Sequence, residues 1–177
     1  MRAGLAAVAC ALLALVAGCG ADGMNRADAK VVSEAAAPSE VPVKVAGGLA
    51  KWGEQRPAGD TLLVTVSSPR SFVPGDTAYP KAPRAAGFDI TLENVGTSVY
   101  RSSQLVVQAS TSDGKRMAAV VDATQGYSGV LAGEVLPGRT ARLSLAFALP
   151  ADQVNVVVTV QANVAQATTT AEFEGPA

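Results

Sequence analysis

The residue with the most distinctive reactivity is Cys19, one of two cysteines in a chain of 177 residues. It closes the stretch Val-Ala-Gly-Cys at residues 16–19, where small side chains let the backbone lie extended in the groove of a peptidase. A cysteine thiolate is a soft nucleophile, suited to forming a thioether with a diacylglycerol. The stretch therefore combines a backbone suited to a peptidase groove with a nucleophile suited to lipid attachment.

The segment before Cys19 agrees with this chemistry. Residues 5–17 carry no charge and follow Arg2 closely. As a helix they would measure about 20 Å, at ~1.5 Å per residue, which is too short for a hydrocarbon core of about 30 Å. A basic start and a short apolar run are typical of a signal peptide. We predict that residues 1–18 form one.

The ending at Cys19 resembles the bacterial lipobox. The resemblance implies cleavage between Gly18 and Cys19, a lipid on Cys19, and anchoring at the extracytoplasmic face of the cell membrane. Two long acyl chains make a stable anchor, because each buried methylene contributes about 0.8 kcal/mol. Cys10 is the weaker candidate, since few apolar residues precede it. The alternative is an ordinary signal peptide in which Cys19 has no role.

Residue types that usually carry catalysis are scarce. The chain has no histidine, the commonest general base and the commonest transition-metal ligand. It also has no Gly-x-Ser-x-Gly motif for a nucleophilic serine. Asp89 and Glu93 would lie about 13 Å apart on one strand, farther than the ~5–10 Å of a glycosidase pair. We predict no catalytic residue, no metal site and no cofactor.

The composition also restricts the partners. Charged residues make up 16% of the chain and the net charge is −1, whereas a nucleic-acid-binding domain needs a clustered basic surface. The glycine-rich stretch 121–135 lacks the lysine and the following helix of a phosphate-binding loop. We expect neither nucleic acid nor nucleotide. The expected partners are the membrane, through the lipid on Cys19, and an envelope protein or polymer of unknown identity.

One loop contains a candidate contact site. The stretch Tyr-Pro-Lys-Ala-Pro-Arg at residues 79–84 separates an aromatic ring and two cations by prolines, which stiffen the backbone. It is interpreted either as a rigid connector or as a contact site for an anionic envelope polymer. In the second interpretation the contact residues are Tyr79, Lys81 and Arg84.

Residues 19–59 are predicted to be the lipidated cysteine and a largely disordered spacer. No period of 2 or 3.6 persists there, and prolines and glycines recur. A loose coil of this length would reach roughly 35 Å. Trp52, near its end, either packs on the edge of the domain or faces a partner. If the spacer were ordered, Val41, Val43 and Val45 would form an additional strand.

From residue 60 to residue 177 the apolar residues alternate with polar ones, which predicts β-strands with one buried face. Turn sequences such as Asp113-Gly114 and Pro137-Gly138 separate the apolar runs. Seven strands joined by short turns indicate an antiparallel β-sandwich. The inward-facing residues are predicted to be Leu62, Val64 and Val66; Phe88, Ile90 and Leu92; Leu105, Val107 and Ala109; Met117, Ala119 and Val121; Ala141, Leu143, Leu145, Phe147 and Leu149; Val154, Val156, Val158 and Val160; and Thr169, Ala171 and Phe173.

The domain sequence resembles the actinobacterial lipoproteins that carry an immunoglobulin-like domain of unknown function. Two turns carry most of the resemblance, Glu-Asn-Val-Gly at residues 93–96 and Leu-Pro-Gly-Arg at residues 136–139. The resemblance extends from Thr61 to the C-terminus. It implies the immunoglobulin-like fold and a location in the cell envelope.

Two functions agree with the sequence. The first is a membrane-anchored envelope lipoprotein whose domain is a non-enzymatic binding module. The alternative is an accessory domain of an envelope hydrolase or transferase, or such an enzyme itself in cryptic form. An enzyme should show a deep pocket with converging polar groups, whereas a binding module should show an exposed surface or loop cluster.

Overall fold

A computed structural model describes residues 48–129, 133–163 and 169–177. The predicted signal peptide, Gly18, Cys19 and the first part of the predicted spacer lie outside the described residues. In the described ranges no helix is long and apolar enough to cross a membrane. The strands are β1 (Ala50–Lys51), β2 (Gln55–Ala58), β3 (Leu62–Val66), β4 (Arg70–Phe72), β5 (Arg84–Asn94), β6 (Tyr100–Arg101), β7 (Val106–Thr111), β8 (Ala119–Val120), β9 (Glu134–Val135), β10 (Thr140–Leu149), β11 (Asn155–Gln161) and β12 (Ala171–Pro176).

These strands form two main sheets that face each other. The first sheet has the order β1-β12-β11-β7, and the second has the order β2-β3-β5-β10-β8 with β4 also pairing with β5. All of the pairs are antiparallel except β1 with β12, and β6 and β9 form a separate short ribbon. The predicted all-β antiparallel sandwich is confirmed. Among the described strands, seven have four residues or more.

The alternation of residues along β10 builds the centre of the core. Leu143, Leu145 and Phe147 are buried, as predicted, and Arg142 is exposed on the other face. Ten residue pairs join β10 to β5 and place Leu143 opposite Ile90. The inner faces of both sheets thus share one apolar core. Its buried members include Leu62, Val64, Val66, Phe88, Ile90, Leu92, Val156, Val158, Val160 and Phe173.

Aromatic rings join the start of the domain to this core. The Phe88 ring lies 5.4 Å from the Trp52 ring and 6.2 Å from the Phe147 ring, measured between centroids. The Trp52 indole Nε1 donates a hydrogen bond to the Pro176 carbonyl oxygen at 3.4 Å. A Cβ atom at Gly175 would come within 2.3 Å of that nitrogen, so only glycine fits beneath the ring. Trp52 therefore packs on the edge of the domain, which was the first of its two interpretations.

The domain begins earlier than the predicted boundary at Gly59. Ala50 in β1 is fully buried and pairs with Phe173, and β2 pairs with β3 along its whole length. The spacer prediction was wrong for these residues because β1 and β2 each bury only one alanine, too little to produce an apolar period. Pro57 is tolerated because β2 is the edge strand of its sheet.

The predicted strand at residues 117–121 is also corrected. Met117 and Val120 are buried, whereas Ala119 and Val121 are exposed. The reason is that the chain changes sheets here: the Met117 amide donates to the Ala109 carbonyl of the first sheet, while Val120 pairs with Ala146 of the second. Ala119 is directly opposite Phe147 and so lies on the inner face of the second sheet, yet it is exposed because β8 is the short edge strand of that sheet.

The two turns that carried the sequence resemblance contact each other. Asn94 is fully buried, and its side-chain amide donates to the carbonyl oxygens of Ser98, at 2.9 Å, and Val135, at 2.8 Å. The backbone of Asn94 bonds to Gly138 and Arg139 in the second turn. Gly138 has φ of 68°, which suits the third position of the predicted type II turn. Asn94 thus fixes the entry into β10.

Tyr100 joins the β6–β9 ribbon to the first sheet. Its buried hydroxyl donates to the Ala162 carbonyl oxygen at 2.7 Å, and burial raises the pKa of Tyr100 to about 12. An unfolded tyrosine titrates near pH 10. The raised pKa therefore gives a contribution to stability that is complete below pH 10 and is lost as the pH rises from about 10 to about 12.

Tyr100→Phe tests this contribution. At pH 7 the variant should be less stable by about 1–3 kcal/mol, because the buried Ala162 carbonyl loses its donor. Between pH 10 and pH 12 the difference from wild type should narrow, because only wild type loses the contribution of the protonated hydroxyl. Urea denaturation at each pH measures both effects, with the exposed Tyr79→Phe as the control. A difference that stays constant from pH 7 to pH 12 would contradict the assignment.

Candidate binding cleft

The candidate site is a cleft at the side of the sandwich, between strand β7 of the first sheet and strands β8 and β10 of the second. It has a volume of about 620 Å³. Strand β8 pairs with only two residues of β10, so most of this edge of β10 in the second sheet is not covered by β8. The described lining residues are Ser102, Ser103, Leu105, Val106, Val107, Ala119, Val120, Val121, Ser128, Gly129, Leu143, Leu145, Ala146 and Phe147.

The polarity of the cleft changes from its mouth to its floor. Leu143, Leu145 and Phe147 are buried at the floor because they are the inward residues of β10. Half-buried aliphatic residues from the start of β7 form one wall. Ser103 and Ser128 line the cleft and are exposed, which places them at its mouth. The cleft therefore has an apolar floor beneath a rim of neutral hydroxyl groups.

The described lining of the cleft has no ionisable side chain. General acid–base catalysis needs a group that can exchange a proton near neutral pH, and a serine nucleophile needs such a group beside it. Neither condition is met by the serines of the rim. The chemistry that these residues support is therefore the burial of an apolar group, with hydrogen bonds available at the mouth.

Of the predicted contact residues, Tyr79 lies beside this cleft, whereas the side chain of Lys81 bonds to a neighbouring loop. The backbone of Tyr79 exchanges two hydrogen bonds with that of Val121, at 3.0 and 2.8 Å, and Val121 lines the cleft. The Tyr79 side chain is 79% exposed. Lys81 is exposed at the surface, yet its ammonium donates to the carbonyl oxygens of Gly75, at 3.2 Å, and Asp76.

Arg84 does not belong to this loop. It is the first residue of β5, and its half-buried guanidinium donates to the carbonyl oxygens of Pro150 (3.3 Å), Asp152 (2.8 Å) and Ala177 (3.4 Å). The side chain thus ties the turn after β10 to the last residue. The loop interpretation of Arg84 was wrong because the small residues that follow it gave no sign of a strand starting there. The bonds to carbonyl oxygens occupy N–H donors of Lys81 and Arg84 that would otherwise be available to an anionic polymer.

Sequence reasoning missed Asp122, which fixes the loops beside the cleft. The carboxylate is 1% exposed and accepts hydrogen bonds from the Gly75 amide at 2.8 Å, the Thr124 hydroxyl at 2.6 Å and the Gln125 amide at 3.3 Å. The bond from Thr124, followed by that from Gly75, holds the pKa of Asp122 below its usual range. The sequence did contain a signal, because Asp-Ala-Thr-Gln-Gly at residues 122–126 is typical of a turn capped by its aspartate.

A second, smaller cluster packs on the outer side of β5 and β10 and supports the same loops. Phe72 stacks on Tyr127 with a centroid distance of 4.8 Å, and Arg70 donates to the Tyr127 hydroxyl at 3.2 Å. A Cβ atom on Gly87 would come within 2.0 Å of that hydroxyl oxygen, so the ring needs glycine at this position. The loops that carry Val121 and Tyr79 are therefore attached to the sheet by packing as well as by Asp122.

The carboxylates considered for catalysis lie elsewhere, on the outer face of the second sheet. Asp89 accepts a hydrogen bond from the Ser144 hydroxyl at 2.6 Å, and Glu93 accepts one from the Gln55 amide at 3.2 Å. Each is therefore paired with a neutral side chain, Asp89 with one on the adjacent strand β10 and Glu93 with one on β2, two strands away. Within the described ranges, no three His, Cys, Asp or Glu residues come close enough together to hold a metal ion.

Comparison with known proteins supports the fold. The chain matches no protein-family model and no curated protein. Among solved structures, the yjhA protein of Bacillus subtilis is similar with a TM-score of 0.52 and 15% identity, over 71% of this chain and 98% of that one. A proposed lipoprotein of Bacillus subtilis, ycdA, has a TM-score of 0.52 and 12% identity, over 68% of this chain and 38% of that one. The secreted protein MPT63 of Mycobacterium tuberculosis has a TM-score of 0.48 and 20% identity, over 70% of this chain and 95% of that one. At these identities the yjhA and ycdA structures show a shared fold and nothing finer.

Proposed function

We propose that the protein is a lipid-anchored cell-envelope protein whose domain binds a ligand in the cleft without altering it chemically. The observation that carries the proposal is the composition of the cleft. Its described lining combines a buried apolar floor with neutral hydroxyl groups and offers no group to move a proton. A pocket of ~300–1,000 Å³ with mostly apolar walls is typical of small-molecule sites.

The proposed location rests on the N-terminal sequence. The charge-free residues 5–17 and the ending at Cys19 favour export followed by lipid attachment. The similarity in fold to ycdA, itself a proposed lipoprotein, supports the same location. So does the sequence resemblance to actinobacterial lipoproteins with an immunoglobulin-like domain. We propose the extracytoplasmic face of the cell membrane, with an envelope molecule as the ligand.

Photo-crosslinking in intact cells tests binding in the cleft. A photoreactive amino acid placed at Ala119, an exposed lining residue, should give an adduct of defined mass after irradiation. The same amino acid at Gln153, exposed in the turn between β10 and β11, is the control and should give none. Absence of an adduct at position 119, or equal adducts at both positions, would contradict the proposal.

A further inference from the structure

We propose that the ligand is an amphiphile with one alkyl or acyl chain and an uncharged polar head, the chain lying on the floor of the cleft. This inference rests on the proposed function and makes it more specific by naming the class of ligand. Three features of the described lining carry it: the apolar floor, the neutral rim, and the side chains that continue the cleft at its mouth.

The floor favours a hydrocarbon chain over a peptide. Leu143, Leu145 and Phe147 present only carbon atoms, and they are 6%, 7% and 2% exposed. An extended peptide would bring its own amide and carbonyl groups to this floor, where burying them without hydrogen bonds is costly. An alkyl chain has no such groups. Its burial is favourable in proportion to the apolar area removed from water.

The rim determines what the head of the ligand can be. The polar side chains of the described lining are the hydroxyls of Ser102, Ser103 and Ser128, which can both donate and accept hydrogen bonds. No lysine or arginine lines the described part of the cleft to neutralise a phosphate or a carboxylate. A neutral head with hydroxyl groups matches these serines, whereas an anionic head would lie beside them without a counter-charge.

The mouth of the cleft extends its apolar surface toward solvent. Val121 lines the cleft and is 47% exposed, and Tyr79 is directly opposite it in an antiparallel bridge. Side chains of directly opposite residues project from the same face of a sheet. The exposed ring of Tyr79 combines an apolar body with a polar hydroxyl, which suits the boundary between the head and the chain of an amphiphile.

A series of n-alkyl glucosides tests the inference. The protein is residues 19–177 with Cys19→Ser, which removes the need for detergent, and each glucoside is titrated below its critical micelle concentration. Between six and ten carbons, each added methylene should raise the affinity about fourfold, the equivalent of ~0.8 kcal/mol. An n-alkyl phosphate of the same length should bind more weakly than the glucoside.

Two matched variants identify the site in the same titrations. Ala119→Trp should fill the cleft and weaken binding at least tenfold, since Ala119 is exposed and lines it. Ala118→Trp, at the adjacent exposed residue beside a different hollow, should bind as wild type does. The inference is overturned if affinity does not depend on chain length or if Ala119→Trp binds normally. If the titrations fail while crosslinking at position 119 captures a peptide, the proposed function survives and this inference does not.

Discussion

Phe147→Ala should lower the free energy of unfolding by about 3–5 kcal/mol, as large aromatic truncations in tight cores do. The Phe147 side chain is 2% exposed and its ring centroid lies 6.2 Å from that of Phe88. Ten residue pairs hold β10 against β5, so the strand cannot move inward to close the space left by the ring. The loss is a large share of the ~5–15 kcal/mol that stabilises a typical domain.

Equilibrium unfolding in urea measures this loss, with Val73→Ala as the control. Val73 is 71% exposed, and substitutions at such positions usually change stability by less than about 0.5 kcal/mol. The two variants should therefore differ clearly in their unfolding midpoints. If Phe147→Ala unfolds at the same urea concentration as Val73→Ala, Phe147 is not a core residue and the register of β10 is wrong.

The long strands could be predicted from the sequence because apolar side chains alternate along them. Leu62, Val64 and Val66 in β3 and the four alternate valines of the segment 154–160 show the period directly. The start of β5 could not be predicted in this way. Its first residues after Arg84 are two alanines and a glycine. Ala85 and Gly87 are buried under Phe72 and Tyr127, whereas Ala86 is buried in the main core. Small residues that are buried by distant aromatic rings leave no local pattern.

The cleft could not be predicted, although its floor could. The alternation in β10 predicted that Leu143, Leu145 and Phe147 face inward, and all three do. The opening above them results from the shortness of β8, which depends on where the chain crosses between the sheets near Ala118. Ser102 and Ser103 lie in a short 3₁₀ turn that no sequence motif marks as a site. The cleft thus forms where three separate segments, β10, the short strand β8 and the 3₁₀ turn, come together, and no local sequence pattern reports such a meeting.

The proposal of an envelope protein rests on Cys19 more than on any other residue. The β-sandwich itself does not specify a location, whereas a lipid on Cys19 would restrict the domain to a membrane surface. Cys19→Ala should abolish lipid attachment completely, because the alanine side chain has no sulfur atom with which to form the thioether. The signal peptide should then remain uncleaved at Gly18, so the unlipidated precursor should be longer than the mature protein.

Metabolic labelling with an alkyne-tagged fatty acid is the most direct measurement of this claim. The wild-type protein, recovered from labelled cells, should carry the label, and so should Cys10→Ala, which removes the chain's other cysteine. Cys19→Ala should carry none and should migrate as the longer precursor. Label that persists in Cys19→Ala, or that disappears in Cys10→Ala alone, would contradict the account of a domain held at the membrane through Cys19.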